Sequence, residues 1–194
     1  MARVAFVLID PFADWEPALL STRMDDEAFG DAVQWLTPGG KSVRSMGALR
    51  VAADGAVEDF DPARFDALVL VGSPTWATPE SPDLTPVLQR AADAGLVIGG
   101  ICGATLALAR AGLLDDRPHT SNSLKFLQAY AAGYRGAAHY RDSARAVADG
   151  RVVTASGLAP VSFAAEMMRL LHPGDEERIG RLQEMFAREH QAVR

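Results

Sequence analysis

One cysteine, Cys102, stands among the 194 residues, so no disulfide can close within the chain. A lone thiol suits a reducing compartment, and a cytoplasmic address is the expectation. No run of about 18 consecutive apolar residues occurs, which argues against a membrane-spanning helix. The apolar segment Val4 to Ile9 is short and passes straight into Asp10-Pro11 with no small-residue cleavage site. It therefore reads as structure and not as a signal peptide. Basic residues are outnumbered, 19 Lys and Arg against 25 Asp and Glu, for a net charge of −6. Neither nucleic acid nor an anionic membrane is an expected partner, since both call for a basic face. One cysteine and four scattered histidines contain no pair at zinc-ligand spacing, so no metal is expected. No glycine-rich phosphate loop is present, and no cofactor is expected. No repeat, low-complexity tract or linker interrupts the chain, and residues 1–194 read as a single domain long enough to bury a core.

What is there is an alternation of apolar runs and helical periods. Val4 to Ile9, Ala32 to Leu36, Phe65 to Val71 and Leu96 to Ile101 are short apolar segments of the kind that form buried parallel strands. Between and after them, Trp15 to Met24, Pro82 to Ala94, Ala104 to Ala111 and Val161 to Leu171 have helical spacing, and Gly95 and Gly112 are suitable stops. Val43 to Val51 suggests a small hairpin beside the main sheet. Arg145 to Thr154 reads as two strands joined at Asp149-Gly150. A charged amphipathic helix is expected over 175–191, opened by acidic residues. The order predicts an α/β domain, a mostly parallel sheet sandwiched by helices. In such sheets ligands bind beyond the carboxyl ends of the strands. The segments expected to converge are Asp10 to Glu16, Gly72 to Trp76, Cys102-Gly103 and His119 to Asn122.

Gly100-Ile101-Cys102-Gly103-Ala104 leaves almost no room between a strand and a helix. So tight a turn strains its central residue and needs small neighbours. This is the arrangement of a nucleophile elbow, with cysteine in the nucleophile position. A helix N-terminus aimed at the sulfur favours thiolate over thiol. The alternative is a buried structural cysteine.

The stretch Ile101 to Ala109, followed by Ala111-Gly112-Leu113-Leu114, resembles the cysteine motif of the ThiJ/PfpI superfamily, relatives of the class I glutamine amidotransferases. Phe12-Ala13-Asp14-Trp15-Glu16 is similar to that family's first loop, which ends in an acidic residue. Leu70-Val71-Gly72-Ser73 stands at its Leu-Pro-Gly-Gly turn, and Ala155-Ser156-Gly157-Leu158-Ala159-Pro160 resembles its closing strand-to-helix turn. The match covers residues from about 3 to 171. The resemblance implies a flavodoxin-like, class I glutamine amidotransferase-like fold, and a homodimer.

It also implies roles. Glu16 is placed against the Cys102 sulfur with its carboxyl protonated, because two adjacent negative groups cannot both ionise cheaply. The alternative is a glutamate serving only the helix dipole. Backbone N–H groups of Ser73 and Gly103 are candidates for an oxyanion site, and Trp76 is expected as a pocket wall. The PfpI branch has histidine directly after the cysteine, where Gly103 stands. The deglycase and stress-response branch has one after the next strand, where spacing puts Asn122. His119 is the nearest substitute for a base. His139 is expected on a strand surface and His190 in the last helix, and His172-Pro173 ends a helix and is rejected as a catalytic partner. The expected activity is that of a cysteine-dependent hydrolase, glyoxalase or deglycase acting on small carbonyl or amide compounds. The alternative is a redox-sensing stress protein in which Cys102 oxidises to sulfinate. The missing histidine weighs against a protease.

Overall fold

A computed structural model of the chain describes residues 1–24 and 32–188. The sheet is built around β1 (Arg3–Val7), whose apolar run is continuous because it is covered on both faces. Val4 and Phe6 point into one core, Ala5 and Val7 into the other. The remaining strands are β2 (Ala32–Thr37), β3 (Val43–Arg44), β4 (Arg50–Val51), β5 (Gly55–Ala56), β6 (Ala67–Leu70), β7 (Val97–Ile101), β8 (Val147–Asp149) and β9 (Val152–Ala155). Seven of them form one sheet in the order β5-β2-β1-β6-β7-β9-β8. All pairs are parallel except β8 with β9, which the Asp149-Gly150 turn makes antiparallel, as its sequence predicts. β3 and β4 pair on their own as the small hairpin.

The core order β2-β1-β6-β7-β9 is the flavodoxin arrangement, which reverses direction at β1. The helices are α1 (Trp15–Met24), α2 (Thr85–Asp93), α3 (Thr105–Arg110), α4 (Leu124–Tyr130), α5 (Pro160–Leu171) and α6 (Glu176–Ala187). Residues of α2, α3 and α4 fill the core on one face, and those of α1, α5 and α6 the core on the other. Gly95 and Gly112 end α2 and α3 with φ of 73° and 75°, as stops of that kind do. The segment that forms α4 has no predicted helix. Its start is set by Ser123, whose hydroxyl accepts the N–H of Phe126. The tail expected to continue to Gln191, with His190, lies partly outside the described residues. Among the described residues no helix is long and apolar enough to cross a membrane.

Candidate functional site

The fully buried strand β7 runs into Cys102 without a loop, and Cys102 itself takes a φ of 59°. A non-glycine residue there stores on the order of 1–3 kcal/mol, held only because the surroundings fix it. Cys102–Ala104 form a single 3-10 turn ahead of α3, closed by the Thr105 N–H on the Cys102 carbonyl. The elbow turns the half-buried cysteine toward the carboxyl ends of β6 and β9.

Glu16 comes from the first turn of α1 and is fully buried. Its Oε2 accepts the Gly72 N–H at 2.6 Å, while Oε1 has no nitrogen or oxygen partner among the described residues. The carboxyl lies against the cysteine side chain. A Cβ on Gly157 would fall 2.9 Å from Sγ and 3.1 Å from Oε1, and one on Gly72 would strike both Glu16 oxygens and the Cys102 Cβ. Only hydrogen fits at these two positions, because the backbone itself walls the Cys102–Glu16 contact.

Burial pushes the Glu16 carboxyl up to about 7, against the pull of the Gly72 N–H and of its contact with Cys102. Burial, and next the charge of Glu16, push the Cys102 thiol up to about 11, while the Asn122 amide and the Gly103 N–H pull it down. Burial thus holds the thiol above its ordinary value, against the low pKa that the elbow motif suggests. The repulsive part of that push exists only while Glu16 is ionised. Between about pH 7 and 11 the pair holds one negative charge and one proton, and placing that proton on Glu16 turns the repulsion into a hydrogen bond to the thiolate.

Asn122 is brought to the sulfur. Its Nδ2 donates to Sγ at 3.3 Å and its Oδ1 accepts the Gly157 N–H at 3.0 Å. Trp15 closes the same corner, its Nε1 donating to the Gly157 carbonyl at 2.9 Å while the ring stays half exposed. Gly157 is not among the sequence-derived site residues, and Trp15 enters that reading only as part of the convergent segment Asp10 to Glu16. Gly157 is the second residue after β9, so the rule that picks out the other strand ends points to it as well. The tryptophan contact has no sequence signal.

His119 is not brought to Cys102. It is fully buried, with Nδ1 on the Arg117 carbonyl at 2.8 Å and Nε2 on the Tyr134 hydroxyl at 2.6 Å. Burial holds its pKa below the ordinary histidine value. Both ring nitrogens are engaged, which leaves no lone pair for a proton from the elbow. Trp76 is a second correction. It is fully buried, donates to the Val71 carbonyl at 2.8 Å and packs beneath Gly103, so it supports the elbow and lines no open wall. Ser73 and Gly103 do lie together: a Cβ on Gly103 would fall 2.6 Å from the Ser73 carbonyl oxygen. The Ser73 hydroxyl accepts the Thr75 N–H. His139 ends a 3-10 turn, not a strand, and His172 caps α5. Among the described residues no three His, Cys, Asp or Glu side chains converge as metal ligands would.

With this geometry in view, comparisons with known proteins agree on a single family. The model of the DJ-1/PfpI family matches residues 2–170. A Bacillus subtilis relative named "Uncharacterized protease YoaZ" is 31% identical over 179 residues, covering 87% of this chain and 83% of that protein. Among solved structures, the DJ-1 superfamily protein Atu0886 from Agrobacterium tumefaciens superposes with a TM-score of 0.93 at 43% identity, covering 98% of this chain and 100% of that one. A ThiJ/PfpI family protein from Bacillus anthracis superposes at 0.79 with 26% identity, covering 94% of this chain and 96% of that one.

Proposed function

The chain belongs to the DJ-1/PfpI family, and from that premise we propose that it is a Cys102-dependent enzyme acting on small carbonyl or amide compounds, with glyoxalase- or deglycase-like chemistry. The observation that carries the reading is the placement of the Cys102 side chain against a buried Glu16 whose Oε1 has no hydrogen-bond partner among the described residues. In the reactive tautomer Glu16 holds the proton and Cys102 is thiolate. Sγ forms a bond to the carbonyl carbon, the π pair moves onto oxygen, and Glu16 delivers its proton there. The resulting carboxylate is then the base for the next proton, taken from the adjacent carbon or from water. Backbone N–H groups of Gly103 and Ser73 are the candidate donors to the developing oxyanion.

Small carbonyls are favoured over peptides. Cleaving an amide needs a proton for the departing amine, and His119 is engaged with Arg117 and Tyr134 instead. Glu16 alone would have to serve both steps. The protease name of the Bacillus subtilis relative keeps amides in the substrate set. The same reading places the protein in the cytoplasm as a homodimer. The exposed Trp15, Met46, Leu49 and Leu158 supply apolar surface for an interface.

Turnover of α-oxoaldehydes and simple amides by the wild type, Cys102→Ser and Glu16→Gln tests the proposal. The wild type is expected to consume an α-oxoaldehyde, Cys102→Ser to lose that activity, and Glu16→Gln to fall by about 10² or more. Full activity in Cys102→Ser would sink it. A second reading rests on the donors around the sulfur, Asn122 Nδ2, the Gly103 N–H and a protonated Glu16, which suit the oxygens of a sulfinate. No turnover of any compound, with a gain of two oxygens on mild peroxide treatment, would favour that redox role.

A further inference from the structure

The side chains of Thr105 and Ser121 meet at 2.6 Å, and Thr105 Oγ1 lies 2.7 Å from the Cys102 carbonyl oxygen. A carbonyl can only accept, and a hydroxyl has one hydrogen. Thr105 therefore donates to Cys102, and Ser121 donates to Thr105. Both residues are buried, at 0% and 3% exposure, so water does not compete for these bonds.

Ser121 immediately precedes Asn122. The Asn122 amide cannot turn over, because its Oδ1 is held by the Gly157 N–H and its Nδ2 must then face Sγ. Its segment is anchored residue by residue. The carbonyl of His119 accepts from the Arg141 N–H, the Thr120 N–H donates to Thr154 Oγ1, and the Ser121 carbonyl accepts from the Tyr140 hydroxyl. Those bonds tie the segment to the strand β9 and to the chain around residue 140. Among the described residues the hydroxyl pair is what ties it to the backbone of the elbow.

We propose that Thr105 and Ser121 are positioning residues: their buried hydroxyl relay locks the Cys102 carbonyl to the Asn122 segment and so holds the amide donor on the sulfur. The relay sets two things together, the strained φ of Cys102 and the place of Nδ2. Neither residue is among the groups whose hydrogen bonds or charge act on the thiol, which are Glu16, Asn122 and Gly103. Glu16 is the titratable side chain that faces the sulfur, from α1, and every variant below keeps it. The inference rests on Cys102 being a reactive thiol, and on no particular substrate.

The test is the pH profile of Cys102 alkylation by iodoacetamide, with thermal unfolding followed in parallel. Thr105→Val and Ser121→Ala should each slow alkylation at neutral pH about threefold to tenfold, the range for one lost hydrogen bond. Their profiles should move to higher pH, as should that of Asn122→Ala. Thr105→Ser, which keeps the hydroxyl, should react as the wild type. Combining Thr105→Val with Asn122→Ala should be no slower than Asn122→Ala alone, since both remove the same donor. A lowered unfolding temperature with an unmoved profile would overturn the proposal, as would effects that add in full or an Asn122→Ala variant that reacts normally. Should Thr105→Val fail to fold, Ser121→Ala carries the test, because it leaves the Thr105 bond to Cys102 intact. Failure of the enzymatic reading would look different: these alkylation shifts would persist while no compound is turned over.

Discussion

Gly157 shows most directly what the site requires of a single residue. Its backbone forms one wall of the Cys102–Glu16 contact, its N–H holds Asn122, and its carbonyl receives Trp15. Gly157→Ala should push Glu16 away from the sulfur, since the new methyl would sit closer than contact distance to both. The expected outcome is a folded protein destabilised by about 1–3 kcal/mol, with slower and differently pH-dependent alkylation of Cys102. An unchanged alkylation profile would mean that the backbone here yields and that the close approach is not needed. At this scale Cys102 is plain from the elbow motif, while Glu16 acquires a role only by resemblance. Nothing local distinguishes His119 from Asn122. What separates them is which side chain the strand end turns toward the sulfur, and which finds Tyr134 instead.

At the scale of elements, β7 is the piece on which the site is mounted. Gly99 and Gly100 precede the elbow, and their absent side chains let helices close onto the strand. A Cβ at Gly99 would meet Phe163 and Met167 of α5, and one at Gly100 would meet Leu108 of α3. Gly99→Val should overpack the β7–α5 contact and destabilise by about 1–3 kcal/mol. Gly180→Ala in α6 should do the opposite. Its Cβ would meet nothing within 4 Å, so the gain in helix propensity of about 0.5–1 kcal/mol is unopposed. Denaturant unfolding of the two variants reads both signs, and a stabilised Gly99→Val or a destabilised Gly180→Ala would contradict this account of the packing.

For the whole molecule, the buried Glu16 links the site to global stability. Its folded pKa, raised to about 7, exceeds the ordinary carboxyl value of 4.5, so between these values the folded state binds the proton that the unfolded state releases. The Glu16 contribution is therefore fully present below about pH 4.5 and is lost as pH rises through 7. The change is on the order of 3 kcal/mol. Glu16→Gln carries no titrating proton, so the wild-type stability minus that of Glu16→Gln should fall across this window. Because burial is the first cause of the shift, most of that fall should persist in a Cys102→Ser background. A flat difference would show that Glu16 is ionised in the folded protein throughout.

The sequence by itself determined the class of the fold, because apolar runs too short for helices and closed by turn residues suit strands covered on both faces, and helical periods between them supply parallel crossovers. It determined the elbow too, since a strand running into a helix through Cys102-Gly103 leaves one geometry for the turn. The tertiary structure decided what surrounds the sulfur. Glu16, Gly72, Asn122 and Gly157 come from four separate segments, and their meeting depends on the order β2-β1-β6-β7-β9 and on close packing, which no local pattern records. It also decided the proton. Composition assigns Glu16 a charge, but a carboxyl without solvent and with one oxygen unpaired holds its proton to near neutrality, and that follows from burial alone.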